Sequence, residues 1–249
     1  MTSSNGPVVR VDGMTFGYDR QVVLDDVSLD IAPQDYLAII GPNGGGKTTL
    51  VKLILGLLEP WQGTVSLDLS GPHAAGYVPQ FASFDKNFPL RVDEVVAMGR
   101  LGLAGLGRGY STADGAAVVE ALDRFGLTSL AGTCVSELSG GQLQRTLIAR
   151  ALAGEPEILF LDEPLASIDS ESREVVLGTL AEFNRQIPVV VVSHDVTLFG
   201  GAVNQIACVN RQLHYHSSGE LTGEMLEEVY GCPVELVAHG VPHRVIESH

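Results

Sequence analysis

The chain has 249 residues, of which 45% are hydrophobic and 18% charged, as in a folded globular protein with room for one large domain or a domain carrying a subdomain. Its formal net charge of −15 excludes a general nucleic-acid or anionic-lipid binder, although it allows a local anion site. No apolar run approaches the length of a membrane span, the N-terminus lacks the pattern of a signal peptide, and the three cysteines are widely spaced, so we expect a cytosolic protein.

In chain order, the first strong signal is a glycine-rich loop between a predicted strand and a predicted helix. Residues 37–40 are apolar and predict a buried strand, and residues 47–58 have helical spacing. Between them stands Gly-x4-Gly-Lys-Thr, the pattern of a phosphate-binding loop. It predicts that Lys47 reaches the β- and γ-phosphates and that Thr48 ligates Mg²⁺. The residues expected at the nucleotide are Gly41, Pro42, Asn43, Gly44, Gly45, Gly46, Lys47, Thr48 and Thr49.

Residues 81–153 lose strand character and predict a helical segment. The stretches "RVDEVVAMGR" and "ADGAAVVEALDRFG" indicate amphipathic helices, and the glycine-rich "RLGLAGLGRGY" between them predicts a mobile loop. At "LSGGQLQR" a helix is expected to begin, with Ser139 and Gln142 forming a capping box. A cap does not need the glycines at 140 and 141, which indicate a close approach to the backbone. A helix start suits an anion, yet no lysine follows to hold one.

A carboxylate follows the next predicted strand. Residues 158–161 are apolar, as in a central parallel strand, and Asp162 stands at its carboxyl end, where it would hold Mg²⁺. The adjacent Glu163 would be the base or the orienting group for an attacking water. The alternative for this pair of acids is a solvated turn. A helix over residues 171–186 and a strand over residues 189–192 complete the core pattern, and residues from 210 onward predict a strand pair and a short helix.

Taken together, these motifs resemble those of the ATP-binding cassette (ABC) ATPases, and the resemblance covers nearly the whole chain. Gln80 ends "YVPQ" where the family has its glutamine loop, Asp169 ends "ASID" at the D-loop position, and His194 lies in "VVSHD" at the switch histidine. Tyr18 matches the aromatic that stacks on adenine, with Phe16 as a rival. Taken alone, Gln80 is a polar residue after a bend, and His194 fits a strand-end histidine bonded to backbone.

The resemblance implies the fold, the reaction and the assembly. The fold is α/β, an ABC-type P-loop core of residues 1–80 and 154–249 with an inserted helical subdomain, residues 81–153, that carries the signature motif. Two chains would pair head to tail, so that the signature loop of one closes over the ATP of the other, which explains the absent lysine. The residues implied there are Ser139, Gly140, Gly141 and Gln142, with Asp169 linking the two sites.

The implied reaction is ATP hydrolysis by in-line attack of water on the γ-phosphate. Glu163 polarises the water, His194 contacts the γ-phosphate, and Gln80 acts with Thr48 and Asp162 at Mg²⁺. Lys47 binds the phosphates. The implied cofactors are therefore ATP and Mg²⁺. One departure from the family pattern is Gly45, which stands where the loop often has Ser, Ala or Cys and would loosen it slightly.

Three stretches resemble the zinc and manganese branch of importer ATPases: "DKNFPLRVDEVVAMGR", "NRQLHYHSSGE" and "LEEVYGCPVELVAHGVPHRV". We therefore expect an importer motor that acts with membrane permease subunits and, indirectly, an extracytoplasmic solute-binding protein. It would lie in the cytoplasm, peripheral on the inner face of the membrane, and bind no nucleic acid. The alternatives are an iron-siderophore, haem or cobalamin importer and a non-transport cassette such as an iron-sulfur assembly ATPase.

The histidines near the C-terminus suggest a metal site. They are His214, His216, His239, His243 and His249, with Cys232 in the same region. Alternation along a short strand places the first two on one face, while the others are scattered. We therefore favour the interpretation that these are solvated surface histidines, with a metal site as the alternative.

Overall fold

The computed structural model describes residues 6–71, 74–80, 89–104, 109–166, 168–194 and 202–216. The strands are β1 (Val9–Tyr18), β2 (Gln21–Ile31), β3 (Tyr36–Ile40), β4 (Gln62–Leu67), β5 (Ala75–Val78), β6 (Ile158–Asp162), β7 (Val189–Val192), β8 (Gln205–Asn210) and β9 (Gln212–His216). The helices are α1 (Lys47–Ile54), α2 (Val92–Ala97), α3 (Leu101–Ala104), α4 (Thr112–Arg124), α5 (Gly140–Ala153) and α6 (Ser170–Asn184). Short 3-10 turns cover Met98–Arg100, Thr128–Leu130 and Val135–Glu137.

The described residues fall into two compact units, one formed by residues up to 68 together with those from 190 onward, the other by residues 69–189. The described residues of the range 81–153, which we expect to form a helical subdomain, fall within the second unit. Within the described residues, no helix is both long and apolar enough to cross a membrane.

The first unit contains an antiparallel sheet and a set of strands that carries the glycine-rich loop. In the antiparallel sheet β1 lies between β2 and β4. The strands β7, β3, β8 and β9 lie side by side in that order, with β3 and β8 parallel. Every residue of β3, "YLAII", is buried, as expected for a strand that is covered on both faces. The loop at residues 41–46 therefore leaves from a rigid interior strand.

The second unit pairs β5 and β6 in parallel and packs helices beside them. The pairing register joins Tyr77 to Phe160 and Val78 to Leu161, so both strands end at the same edge. Helices α2, α4 and α5 contact one another, and α5 also contacts α6. Residues 146–149 of α5, together with Leu152 and Ala153, are buried.

Two predicted boundaries were wrong. The helix expected over residues 47–58 ends at Ile54, because Gly56 adopts a left-handed conformation (φ 68°) that stops the helix. The loop expected over residues 100–110 begins instead with the short helix α3, and residues 105–108 lie outside the described residues. The strands predicted over residues 158–161 and 189–192 are confirmed. The predicted strand pair is confirmed as β8 and β9, while the short helix expected after it lies outside the described residues.

Candidate active site

The glycine-rich loop has the backbone of a phosphate cradle. Gly41, Gly44 and Gly46 have backbone φ angles of 148°, 78° and 102°, which residues other than glycine rarely adopt. Gly46 is the N-cap of α1, and no described side chain caps the helix there. The first-turn N–H groups of α1 are therefore suited to an anion.

Lys47 lies across this loop. Its Nζ donates to the carbonyl oxygens of Gly41 and Pro42, at 2.8 and 2.9 Å, and the residue is only 8% exposed. These bonds place a buried ammonium over the loop. A buried cation in this position favours an anionic ligand, because the desolvation of the charge is offset by a charge of opposite sign.

Strand β8 presses against the same loop. A Cβ atom at Gly45 would lie 2.8 Å from the carbonyl oxygen of Val209, and Arg211 N donates to the Gly45 carbonyl at 3.2 Å. A Cβ atom at Gly41 would collide with the same Val209 oxygen. Gly45 is the position at which the loop departs from the family pattern. The backbone of β8 comes too close to it there for a side chain. Sequence reasoning missed this role of β8, since nothing in the motif points to residues so far along the chain.

His194 lies beside the start of the loop. It directly follows β7, and Ser193 N donates to the carbonyl oxygen of Ile39 at 3.1 Å, two residues before Gly41. His194 is exposed. His194 and the loop that carries Lys47 and Thr48 therefore follow two adjacent strands, β7 and β3.

Tyr18 stands at the tip of the β1–β2 hairpin. Asp19 and Arg20 form the two-residue turn with positive φ angles of 47° and 69°, the geometry of a type I′ turn. Tyr18 is 47% exposed, whereas Phe16 is 7% exposed. The exposure favours Tyr18 over Phe16 as the aromatic that is available to a base.

In the second unit, the predicted carboxylates lie at the edge where β5 and β6 end. Asp162 is the last residue of β6 and is 1% exposed. Burial, and then the charge of Asp162, raises the pKa of Tyr77 on β5 to about 12. Gln80 follows β5 by two residues and is exposed. The parallel register therefore brings Gln80 to the same edge as the two acids.

Glu163 has an unusual backbone. Its φ angle is 50°, in the left-handed region, and its carbonyl oxygen accepts a hydrogen bond from Ala166 N at 3.2 Å. The side chain is half-buried. This turn sets the direction in which the carboxylate leaves the strand.

The signature segment begins α5 as predicted. Ser139 is the N-cap: its Oγ accepts from Gln142 N at 3.2 Å, and its own N donates to the Gln142 side chain at 2.9 Å. The capping box is confirmed. Ser139 and Gly140 are exposed, and Gly141 is buried.

Gly141 has a packing reason within the chain. A Cβ atom there would collide with the Ser172 hydroxyl and lie 2.6 Å from Asp169 Oδ2. Asp169 is the N-cap of α6 and accepts from Ser172 N and Ser172 Oγ at 2.8 and 2.9 Å, which lowers the pKa of its carboxyl. Sequence reasoning missed Ser172, although a serine three residues after an N-cap aspartate is a recognisable signal.

Among the residues that the structure describes, no group of three or more His, Cys, Asp or Glu side chains is arranged to hold a metal ion. His214 pairs with Cys208 across β8 and β9. Cys232, His239, His243 and His249 lie outside the described residues.

The sequence of the chain is similar to those of known proteins. Residues 24–166 match the family described as ABC transporter. The chain is 41% identical over 209 residues to a "Probable metal transport system ATP-binding protein" of Chlamydia trachomatis, covering 82% of this chain and 88% of that protein. It is 35% identical over 220 residues to a zinc uptake system ATP-binding protein of Listeria monocytogenes, covering 85% and 86%. A manganese transport system ATP-binding protein of Halalkalibacterium halodurans is 37% identical over 231 residues, covering 90% and 92%.

Solved structures show the same likeness. A metal-chelate type ABC transporter in an inward-facing conformation superposes with a TM-score of 0.82 at 30% identity, covering 92% of this chain and 90% of that chain. An ATP-binding cassette solved as a dimer after hydrolysis, with ADP and phosphate bound, superposes with a TM-score of 0.71 at 26% identity, covering 86% and 100%.

Proposed function

The chain belongs to the ABC transporter family and is an ATPase of that family, and from this premise we propose that it drives a bacterial importer of divalent metal ions, zinc or manganese. The cargo class is supported by one observation: over most of its length the chain is similar to relatives named for metal, zinc and manganese transport. The cargo is a substrate of the whole transporter, and no residue of the ATPase site is proposed to bind it.

The phosphate chain of ATP would lie in the loop at residues 41–46. The left-handed glycines and the uncapped start of α1 supply backbone N–H groups, and Lys47 supplies the positive charge. Tyr18, exposed at its hairpin tip, stacks on adenine. Asn43 and Gly44 are exposed at the outer part of the loop, and Thr49 continues α1 behind it.

The donor set fits Mg²⁺, because a threonine hydroxyl, a buried carboxylate and an amide oxygen are hard oxygen ligands. We propose Thr48, Asp162 and Gln80 in that role, with Asp162 acting through water. When bound, the ion neutralises charge on the β- and γ-phosphates. Asp162 supports the assignment by its burial at the end of β6.

Glu163 would accept a proton from the attacking water, and His194 would contact the γ-phosphate. The turn at Glu163 holds its carboxylate at the strand end, and the bond from Ser193 to Ile39 holds His194 beside the phosphate loop. Catalysis in such a site is mostly positioning and stabilisation of charge.

Two chains would assemble head to tail, with two composite sites related by a twofold axis. Ser139, Gly140, Gly141 and Gln142 of one chain would close over the ATP of the other, and Asp169 would link the sites. The exposure of Ser139 and Gly140 at the start of α5 supports this assignment. The dimeric, nucleotide-bound relative supports it as well.

Mixed dimers test this assembly. We expect Ser139→Arg to leave ATP binding by the separate chain intact while blocking closure and hydrolysis. Combined with a Lys47→Ala chain, it should leave one dead and one intact composite site, because both changes fall at the same nucleotide. A loss of ATP binding in the isolated Ser139→Arg chain would contradict the trans assignment.

The remaining partners follow from the importer assignment. We propose that permease subunits in the membrane hold the chain at its inner face, and that a solute-binding protein outside the membrane delivers the cargo to the permease. Residues 85–100 are the proposed permease contact, although residues 85–88 lie outside the described part of the chain. The net charge of −15 disfavours nucleic acid as a partner.

A growth experiment tests the cargo. Deleting the gene should impair growth only when zinc or manganese is scarce, and adding the correct ion should restore growth. The control is a deletion strain that carries the gene on a plasmid, which should grow as the parent does. Indifference to chelation of both ions would refute the proposed cargo.

A second candidate is import of a metal chelate, such as an iron-siderophore, haem or cobalamin. The solved metal-chelate type transporter with its TM-score of 0.82 favours it. In that case the deletion strain should starve when the chelate is the limiting nutrient, and should grow normally when free zinc and manganese are withheld.

A further inference from the structure

Three aromatic rings meet near the tip of the β1–β2 hairpin. The rings of Phe16 and Tyr18 meet edge to face, with centroids 5.0 Å apart and planes at 89°. The Phe16 ring also contacts the ring of Trp61, with centroids 5.9 Å apart and planes at 43°. Phe16 is buried, whereas Trp61 is 49% exposed. Phe16 therefore contacts two rings, both of which are partly exposed to solvent.

The backbone is shaped to admit the indole. Trp61 N donates to the carbonyl oxygen of Thr15 at 2.9 Å, which anchors the residue beside β1, just before β4 begins. A Cβ atom at Gly17 would lie 2.7 Å from Trp61 Cη2 and would also collide with the carbonyl of Gln21. The absence of a side chain at Gly17 is thus what allows the indole to lie across β1.

We infer that Trp61 is a positioning residue for the nucleotide base: through Phe16 it holds the Tyr18 ring in the orientation that stacks on adenine. The inference rests on the proposed function, in which Tyr18 contacts the base. Tyr18 is nearly half exposed at a hairpin tip, so its ring would otherwise lose rotamer freedom when ATP binds. Contacts between the aromatic rings fix the Tyr18 ring before ATP binds and so reduce the loss of rotamer freedom on binding.

The first measurement is the Kd for ATP of the purified chain. Trp61→Ala should raise the Kd about threefold to tenfold, the range that one aromatic contact supplies. Trp61→Phe should restore most of the affinity. Leu67→Ala, which removes another exposed apolar side chain at the far end of β4, is the matched control and should keep the wild-type Kd.

A double-mutant cycle separates positioning from a general structural effect. In a Tyr18→Ala background there is no ring to hold, so Trp61→Ala should then change the Kd very little. An unchanged Kd for Trp61→Ala in the wild-type background would overturn the inference. An equal fold increase in the Kd for ATP in the wild-type and the Tyr18→Ala backgrounds would overturn it too.

Intrinsic fluorescence gives an independent readout, because Trp61 is the sole tryptophan of the chain. ATP should change its emission in a saturable way, and Lys47→Ala should abolish that change. If Trp61→Ala fails to fold, this measurement decides, and an emission that ATP leaves unchanged overturns the inference. A wild-type chain that binds no ATP by any measure would refute the proposed function itself, and this inference with it.

Discussion

At the scale of single residues, the backbone conformation of Glu163 is the feature that sets the direction of its carboxylate. Glu163 leaves its strand with a φ of 50°, a conformation that costs a residue with a Cβ atom about 1 kcal/mol. The turn from Glu163 to Ala166 keeps it there. Backbone strain of this kind is found at functional sites, and the same left-handed conformation also serves the hairpin turn at Asp19 and Arg20.

Replacing Glu163 tests its proposed role as the base. Glu163→Gln keeps the size and polarity of the side chain but removes the proton acceptor. We expect ATP binding to persist and turnover to fall about 10²- to 10⁴-fold, with the chain accumulating as an ATP-bound dimer. Steady-state hydrolysis and size-exclusion chromatography measure the two effects. Turnover close to that of the wild type would show that another group accepts the proton.

Gly141 gives a prediction that does not depend on nucleotide. Because a Cβ atom there would meet Asp169 and Ser172, Gly141→Ala should lower the free energy of unfolding of the isolated chain by about 1–3 kcal/mol. Gly178→Ala is the matched control, since Gly178 is exposed in the middle of α6 with nothing near its Cβ position. It should raise that free energy by about 0.5–1 kcal/mol.

Urea unfolding of both alanine variants in nucleotide-free buffer measures these changes. If Gly141→Ala is as stable as the wild type, the contact with the start of α6 is too loose to require glycine. The glycine at position 141 would then be required by the close approach of the partner chain's phosphate to the backbone.

At the scale of secondary structure, the sequence predicts elements better than their ends. The strand over residues 158–161 and the capping box at Ser139 follow from short-range patterns, and both are present. The end of α1 depends on the conformation of Gly56, which the helical spacing of the apolar residues does not reveal. The contacts of Val209 with the loop, and of Trp61 with Phe16, join distant parts of the chain that no local pattern connects.

The start of α4 belongs to a buried polar network. Arg100, 7% exposed, donates from Nε to Asp114 Oδ1 at 2.8 Å and from Nη1 to the carbonyl of Ala153 and a carboxylate oxygen of Glu155, at 2.9 and 2.7 Å. Asp114 also closes a capping box with Ser111. The network joins the 3-10 turn after α2 to the start of α4 and the end of α5.

Acid should weaken this network. Hydrogen bonds from Ser111, then from Arg100, lower the pKa of Asp114 from 3.8 to about 2 in the folded chain. Since the folded pKa is the lower one, the stabilisation is complete above about pH 4 and is lost as the pH falls towards 2. In urea unfolding at several pH values, Asp114→Asn should therefore lose less stability than the wild type between pH 4 and pH 2. Parallel curves for the two proteins would contradict this.

At the scale of the whole molecule, charge opposes the proposed pairing. Each chain carries −15, so two copies repel one another at long range. The repulsion is screened over about 30 Å at 0.01 M salt and about 8 Å at 0.15 M. Closure must therefore rely on short-range contacts around the nucleotides.

We accordingly expect the ATP-bound dimer of Glu163→Gln to become more populated when salt rises from 0.01 to 0.15 M. Sedimentation at fixed ATP and Mg²⁺ measures the dimer fraction, with Ser139→Arg in the same background as the control that stays monomeric. A dimer that dissociates as salt rises would show that attractive charge contacts across the interface outweigh the repulsion.

The contact between Gly141 and the start of α6 bears on how two such sites could communicate. Ser139 heads the helix that would face the partner's nucleotide, and Asp169, the proposed link between sites, packs against Gly141 in the first turn of that helix. Close-packed atoms transmit displacement with little compression. Movement of Asp169 would therefore displace the first turn of α5. A change at one nucleotide that moved Asp169 would therefore also displace the helix start that faces the other nucleotide.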